Sequence, residues 1–133
     1  MNNNIEPKVG QILYNETLDE KGSIKSASLI YIDTEPEPES KNYMVTWIAQ
    51  MEDFGNGIEV YTDATAGSIG KDSIKRIATD EDILSFIKAI RSSENVQEQI
   101  QRWLENIDKS PDYALLLSEE KERLKKLINS GYK

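Results

Sequence analysis

Four clusters in the chain set side chains where they could do chemistry. Thr79-Asp80-Glu81-Asp82 places three carboxylates in a row, and Glu52-Asp53 places two beside a glycine-rich turn. Glu35, Glu37 and Glu39 alternate with prolines, and Gly67-Ser68-Ile69-Gly70-Lys71 is followed closely by Lys75 and Arg76. Paired carboxylates can act as general acid and base or hold Mg²⁺, and a glycine-rich loop ending in lysine can cradle phosphate. Each cluster also has a plainer reading. Acids at 80–82 suit a helix N-terminus, with Thr79 as its capping hydroxyl and the acids opposing the helix dipole. The three glutamates lie on a proline-interrupted segment unsuited to fixed metal geometry. The phosphate-loop pattern fails twice: Thr65 stands where a glycine is needed, and Asp72 follows Lys71 where a hydroxyl residue should.

Missing residue types exclude more. The 133 residues include no histidine and no cysteine, which removes thiolate nucleophiles, imidazole acid–base catalysis and the usual structural zinc sites. The expectation is therefore a chain that is not an enzyme and needs no cofactor. Zero cysteines fit a reducing compartment. The N-terminal Met1-Asn-Asn-Asn-Ile5-Glu6-Pro7 has no basic region followed by an apolar run, and apolar stretches are short, so a soluble, cytoplasmic protein is expected. The net charge of −8 is uneven. Residues 1–80 hold 7 basic and 14 acidic side chains, residues 81–133 hold 9 and 10. The acidic field belongs to the N-terminal part and disfavours direct binding to nucleic acid or an anionic membrane.

The elements that must position these clusters read as strands first and helices after. Residues 9–14, 24–33, 43–49, 58–62 and 73–77 read as five strands; 15–22 and 64–70 read as turn and loop, and 34–41 as an extended, solvated loop. At Thr79 the period changes. Ile83, Phe86, Ile87 and Ile90 form one helical stripe, and Val96, Ile100, Trp103, Leu104 and Ile107 a second. Ser110-Pro111 opens a third, Ser118-Glu119-Glu120 can divide it, and Gly131 reads as its stop. The predicted fold class is α+β: a five-stranded, strongly bent antiparallel sheet or small β-barrel in residues 1–78, then three to four helices in 79–133. The helices would pack on the sheet or mediate homo-oligomerisation.

Val9-Gly10-x-Ile12, Gly22-x-Ile24, Tyr43-x-Val45-x-Trp47 and Ile74-Lys75-Arg76 together resemble the strand pattern of Src-homology-like or Tudor-like small barrels, over about 70 of the 133 residues. The resemblance implies a module that binds peptides, other proteins or nucleic acid. Among the aromatics, Trp47 and Trp103 read as core, with Trp103 also a candidate for a helical interface. Phe54, in its turn, and Tyr61 read as exposed anchors.

Three functional expectations follow. The first is a non-enzymatic protein-binding module, in sharper form an acidic, phage- or mobile-element-encoded inhibitor of a host protein, with Glu35, Glu37 and Glu39 as its partner-binding loop. The second is a nucleotide-binding or sequestering oligomer using Phe54, Tyr61, Lys71, Lys75 and Arg76. The third is a nucleic-acid-binding small barrel, which the charge disfavours.

Overall fold

The computed structural model describes residues 7–35, 37–53, 58–91 and 95–132. Six strands come first: β1 (Ile12–Leu18), β2 (Ile24–Ile32), β3 (Asn42–Asp53), β4 (Ile58–Tyr61), β5 (Thr65–Gly70) and β6 (Arg76–Ile77). Three helices follow: α1 (Asp80–Arg91), α2 (Val96–Lys109) and α3 (Ser118–Tyr132). The class is α+β, as the change of period at Thr79 predicts. The sheet is antiparallel in the order β4-β3-β2-β1-β6, and β5 pairs with β3 alongside β4.

Among the described residues the strand count is six where the pattern predicts five, and the sheet is not closed into a barrel. Residues 64–70, expected as a loop, contain β5, whose TAGSIG sequence lacks the β-branched run that marks a strand. Residues 15–18, expected as turn, belong to β1. Burial along β1 fades from Ile12 to Leu18, so this arm leaves the core and needs no apolar alternation. Its hairpin turn is made by Asp19, whose Oδ1 accepts from the N–H groups of Lys21 and Ser23, and by Gly22 at φ 85°.

Residues 71–75 carry the chain from the β5 edge to the β6 edge, beginning with a 3-10 turn at Lys71–Ser73. Such a link reaches about 16 Å at 3-10 and extended rises, whereas the intervening strands of a flat sheet would hold its ends about 19 Å apart. The sheet therefore curls, but β5 and β6 share no ladder among the described residues.

Two apolar clusters lie on opposite faces of this sheet. Leu13, Ile30, Ile32, Val45 and Ile74 fill the first, with Val9, Tyr43, Trp47 and Ile69 packed against it. Ile12, Tyr14, Ala27, Leu29, Tyr31, Ile48 and Ala49 face the helices and share a single cluster with Phe86, Trp103, Tyr113, Leu124 and Ile128. A bulge lets β3 serve both. Leu29 pairs with Ala49 and Ile30 with Trp47, leaving Ile48 unopposed. The extra residue shifts the alternation, so Val45 and Trp47 join one cluster while Ile48 and Ala49 join the other.

The helices are thus packed on the sheet, and specific bonds fix them there. The Tyr31 hydroxyl donates to the Asp112 carbonyl, and Trp103 Nε1 donates to the Tyr113 hydroxyl at 3.1 Å in the core. The Leu117 N–H donates to the Gly10 carbonyl at 3.0 Å, and the Ile12 N–H to Glu120 Oε2 at 2.7 Å. Arg123 holds Glu120 in place and also donates to the Ala78 carbonyl and Asp80.

Ser110-Pro111 opens only a 3-10 turn (Pro111–Tyr113) and not a helix; the Leu117 N–H goes to the Gly10 carbonyl, and α3 starts at Ser118. Gly131 lies inside α3. A Cβ there would stand 2.8 Å from Leu84 Cδ2, so this glycine permits close packing of α3 on α1 and does not stop the helix.

Candidate functional site

The segment between β2 and β3 builds a cleft of about 350 Å³ lined by Thr34, Glu35, Glu37, Ser40, Asn42, Met44 and Ser68. Its base is the end of the β2–β3 ladder, where the Asp33 N–H donates to the Met44 carbonyl and Thr46 Oγ1 donates to Asp33 Oδ1 at 2.7 Å. Its outer wall is a turn in which the Ser40 N–H donates to the Glu37 carbonyl. Ser40 Oγ accepts from the Asn42 N–H and donates to the Asn42 carbonyl, which seats the turn on the start of β3. From the far side, Lys71 Nζ donates to the Glu37 carbonyl at 2.9 Å and lies 5.3 Å from the Tyr43 ring centre. The Lys71 N–H also donates to the Lys41 carbonyl.

Of the three glutamates singled out by spacing, Glu35 and Glu37 line the cleft, while Glu39 is exposed on the turn outside its lining. Met44 is the feature that pattern alone misses. It alternates within an apolar strand and reads as covered, yet it is 54% exposed, and no helical residue lines the cleft around it. Ser68, its register partner on β5, closes the cleft wall. The chemistry offered is carboxylate, hydroxyl and amide acceptors around one thioether, suited to a cation with an apolar stem.

The other candidates are dispersed. Tyr61 is exposed on β4 and donates to Glu59 at 2.7 Å. Lys75 is exposed beside β6, its main-chain N–H given to the Tyr14 carbonyl. Phe54 lies outside the described residues. Trp103 is fully buried, so its partner is Tyr113 of the same chain and not a second protein.

Arg76 is engaged structurally. Its guanidinium makes a two-pronged pair with Asp82, at 3.0 and 2.6 Å, and stacks 4.4 Å from the Tyr14 ring centre. Asp82 also closes the cap predicted at Thr79: its carboxylate accepts from the Thr79 N–H, and its own N–H donates to Thr79 Oγ1. Asp82 thus serves the helix start, and Asp80 pairs with Arg123 at 3.1 Å. Among the described residues no three acidic side chains group as a metal site. No helix among them is long and apolar enough to cross a membrane.

These contacts set the pH dependence of stability. Burial pushes the Asp82 carboxyl up, but the Arg76 guanidinium and the Thr79 N–H and hydroxyl outweigh it and hold the group below the usual carboxylate range. Its contribution is complete above the unfolded value near 4 and is lost as pH falls through the lower folded value. Burial raises the phenols of Tyr14, Tyr31 and Tyr113, and the Glu16 carboxylate adds to the rise at Tyr14. The folded chain therefore resists their ionisation, and stability falls as pH rises past about 10. With no histidine or cysteine, the urea midpoint should be flat from about pH 5 to 9 and drop at both ends. Asp82→Asn should lower the plateau and flatten the acid limb; an acid limb unchanged in that variant would refute the assignment.

No protein-family model matches the chain, and neither does any curated protein or solved structure.

Proposed function

We propose that this chain is a non-enzymatic protein-binding module that receives a basic segment of a partner protein in the cleft beside β5. The observation that carries the reading is the pairing of exposed carboxylates, Glu35 and Glu37, with exposed Met44 in one cleft. Lysine and arginine fit that combination, with an aliphatic stem for the thioether and a cationic head for the acids. Residues 1–80 carry 14 acids against 7 bases, a net negative charge that would speed encounter with a basic surface. In its sharper form the module is an inhibitor, encoded by a phage or mobile element, whose acidic half covers the nucleic-acid-binding surface of a host protein.

The nucleotide reading needs Lys71, Lys75 and Arg76 around one phosphate. Lys71 is held by the Glu37 carbonyl and Arg76 by Asp82, on different elements. That arrangement favours the protein reading.

Charge reversal tests it. A short peptide repeating Val-Thr-Lys-Thr serves as the probe, with Val-Thr-Glu-Thr as its control. Fluorescence anisotropy should show binding of the lysine peptide alone. Reversing Glu35, Glu37 and Glu39 to lysine should weaken it more than about tenfold and flatten its salt dependence. Equal affinity for the triple variant, or for the glutamate peptide, would defeat the reading.

A further inference from the structure

We infer that the partner segment docks by strand addition: an extended basic stretch pairs antiparallel with the outer edge of β5, through the main chain of Ala66 and Ser68. The inference rests on the reading of the cleft as a site for a basic segment, and names how that segment is held.

The register of β5 decides which of its groups are available. Asn42 pairs with Gly70 and so on without interruption to Trp47 with Thr65, and the Lys71 N–H donates to the Lys41 carbonyl. Antiparallel ladders alternate hydrogen-bonded and non-bonded pairs. Residues 65, 67 and 69 therefore turn their N–H and carbonyl groups to β3, and Ala66 and Ser68 turn theirs outward. Among the described residues no strand pairs with that outer side.

Edge strands are commonly protected by charge, proline, a bulge or a covering element. TAGSIG contains no charged residue and no proline, and its register with β3 is unbroken. The helical layer packs on β3 and β4. Thr65, Ala66 and Ser68 are exposed and small, so a neighbouring strand meets little steric hindrance. Gly67 keeps β5 close to the sheet, since a Cβ there would stand 2.7 Å from the Trp47 ring.

Charge selects the occupant. Ser68 sits opposite Met44, so a residue paired with Ser68 would extend the row Met44–Ser68 on the same face. An apolar side chain suits that position, and the next residue on that face, two along the added strand, suits a cation directed at Glu35 and Glu37. A second copy of the chain would instead bring two bodies of charge −8 together along their acidic sides.

The test uses the full chain and the Val-Thr-Lys-Thr repeat. In the bound strand valine and lysine share the Met44 face, so their N–H groups point at β5 and those of threonine point away. N-methylation of the valines and lysines should weaken binding by at least about tenfold, while N-methylation of the threonines should leave it within about twofold. Ser68→Pro removes an outward N–H without breaking the β3 ladder and should cause a comparable loss. Should that variant not fold, the methylated peptides decide the matter alone. If both methylated peptides bind like the parent while the triple charge reversal abolishes binding, strand addition is overturned and the acidic cleft stands. If the unmodified peptide does not bind, both fall. A concentration-dependent dimer lost in Ser68→Pro would overturn the inference by assigning the edge to a second copy.

Discussion

Trp103→Ala should cost about 3–5 kcal/mol of unfolding free energy, the range seen when a fully buried large aromatic is truncated in a packed core. Trp103 has no exposed surface and sits in the cluster joining sheet to helices, with Ile100 and Ile107 on its own helix. The loss has two parts that can be separated. Trp103→Phe keeps much of the volume but removes the Nε1–H that reaches the Tyr113 hydroxyl, and should cost about 1–2 kcal/mol through that bond alone. Urea unfolding followed by circular dichroism checks both. Because sheet and helices share this cluster, the alanine variant should lower a single transition. Loss of helical signal before that of the sheet would instead show that 79–133 unfolds as a separate unit.

Gly10→Ala should be nearly as damaging, at more than about 3 kcal/mol. Gly10 sits at φ 81°, where any L side chain carries a strain of about 1 kcal/mol or a little more. Most of the damage is tertiary: a Cβ there would lie 2.4 Å from the Leu115 carbonyl oxygen and 2.9 Å from the Leu117 nitrogen. These are main-chain atoms of the segment whose Leu117 N–H bonds back to the Gly10 carbonyl. The clash therefore breaks the bond that ties the start of α3 to the sheet. Gly22→Ala is the internal control. Its φ is 85°, but nothing lies within 4 Å of the added carbon, so only the conformational cost of about 1 kcal/mol should appear. Equal urea midpoints for the two variants would contradict this account of Gly10.

The change from strand to helix at Thr79, the apolar stripes of α1 and α2 and the cap at Thr79 were all legible in the residues, because they rest on contacts within a few positions. So was the acidic character of residues 1–80, which is a sum over side chains. The strand count failed where local signal and burial part company. Asn15 and Thr17 are in β1 despite their polarity, because a hairpin arm outside the core needs no apolar face. Residues 65–70 form β5 because β3 offers them a ladder and Trp47 makes room only for Gly67. The bulge at Ile48, the single core shared by sheet and helices, and the link at Gly10 depend on residues far apart in the chain.

The candidate site divides in the same way. Spacing alone singled out Glu35 and Glu37, since alternate prolines keep them on an exposed segment. Only the tertiary structure added Met44 and Ser68, and only it withdrew Arg76 and Lys71 to structural partners. Composition and local pattern determine which groups a chain can offer and where its elements change type. Which of those groups end up exposed together is decided by long-range packing, and no periodicity within β3 records that Met44 is left exposed beside Glu35 and Glu37.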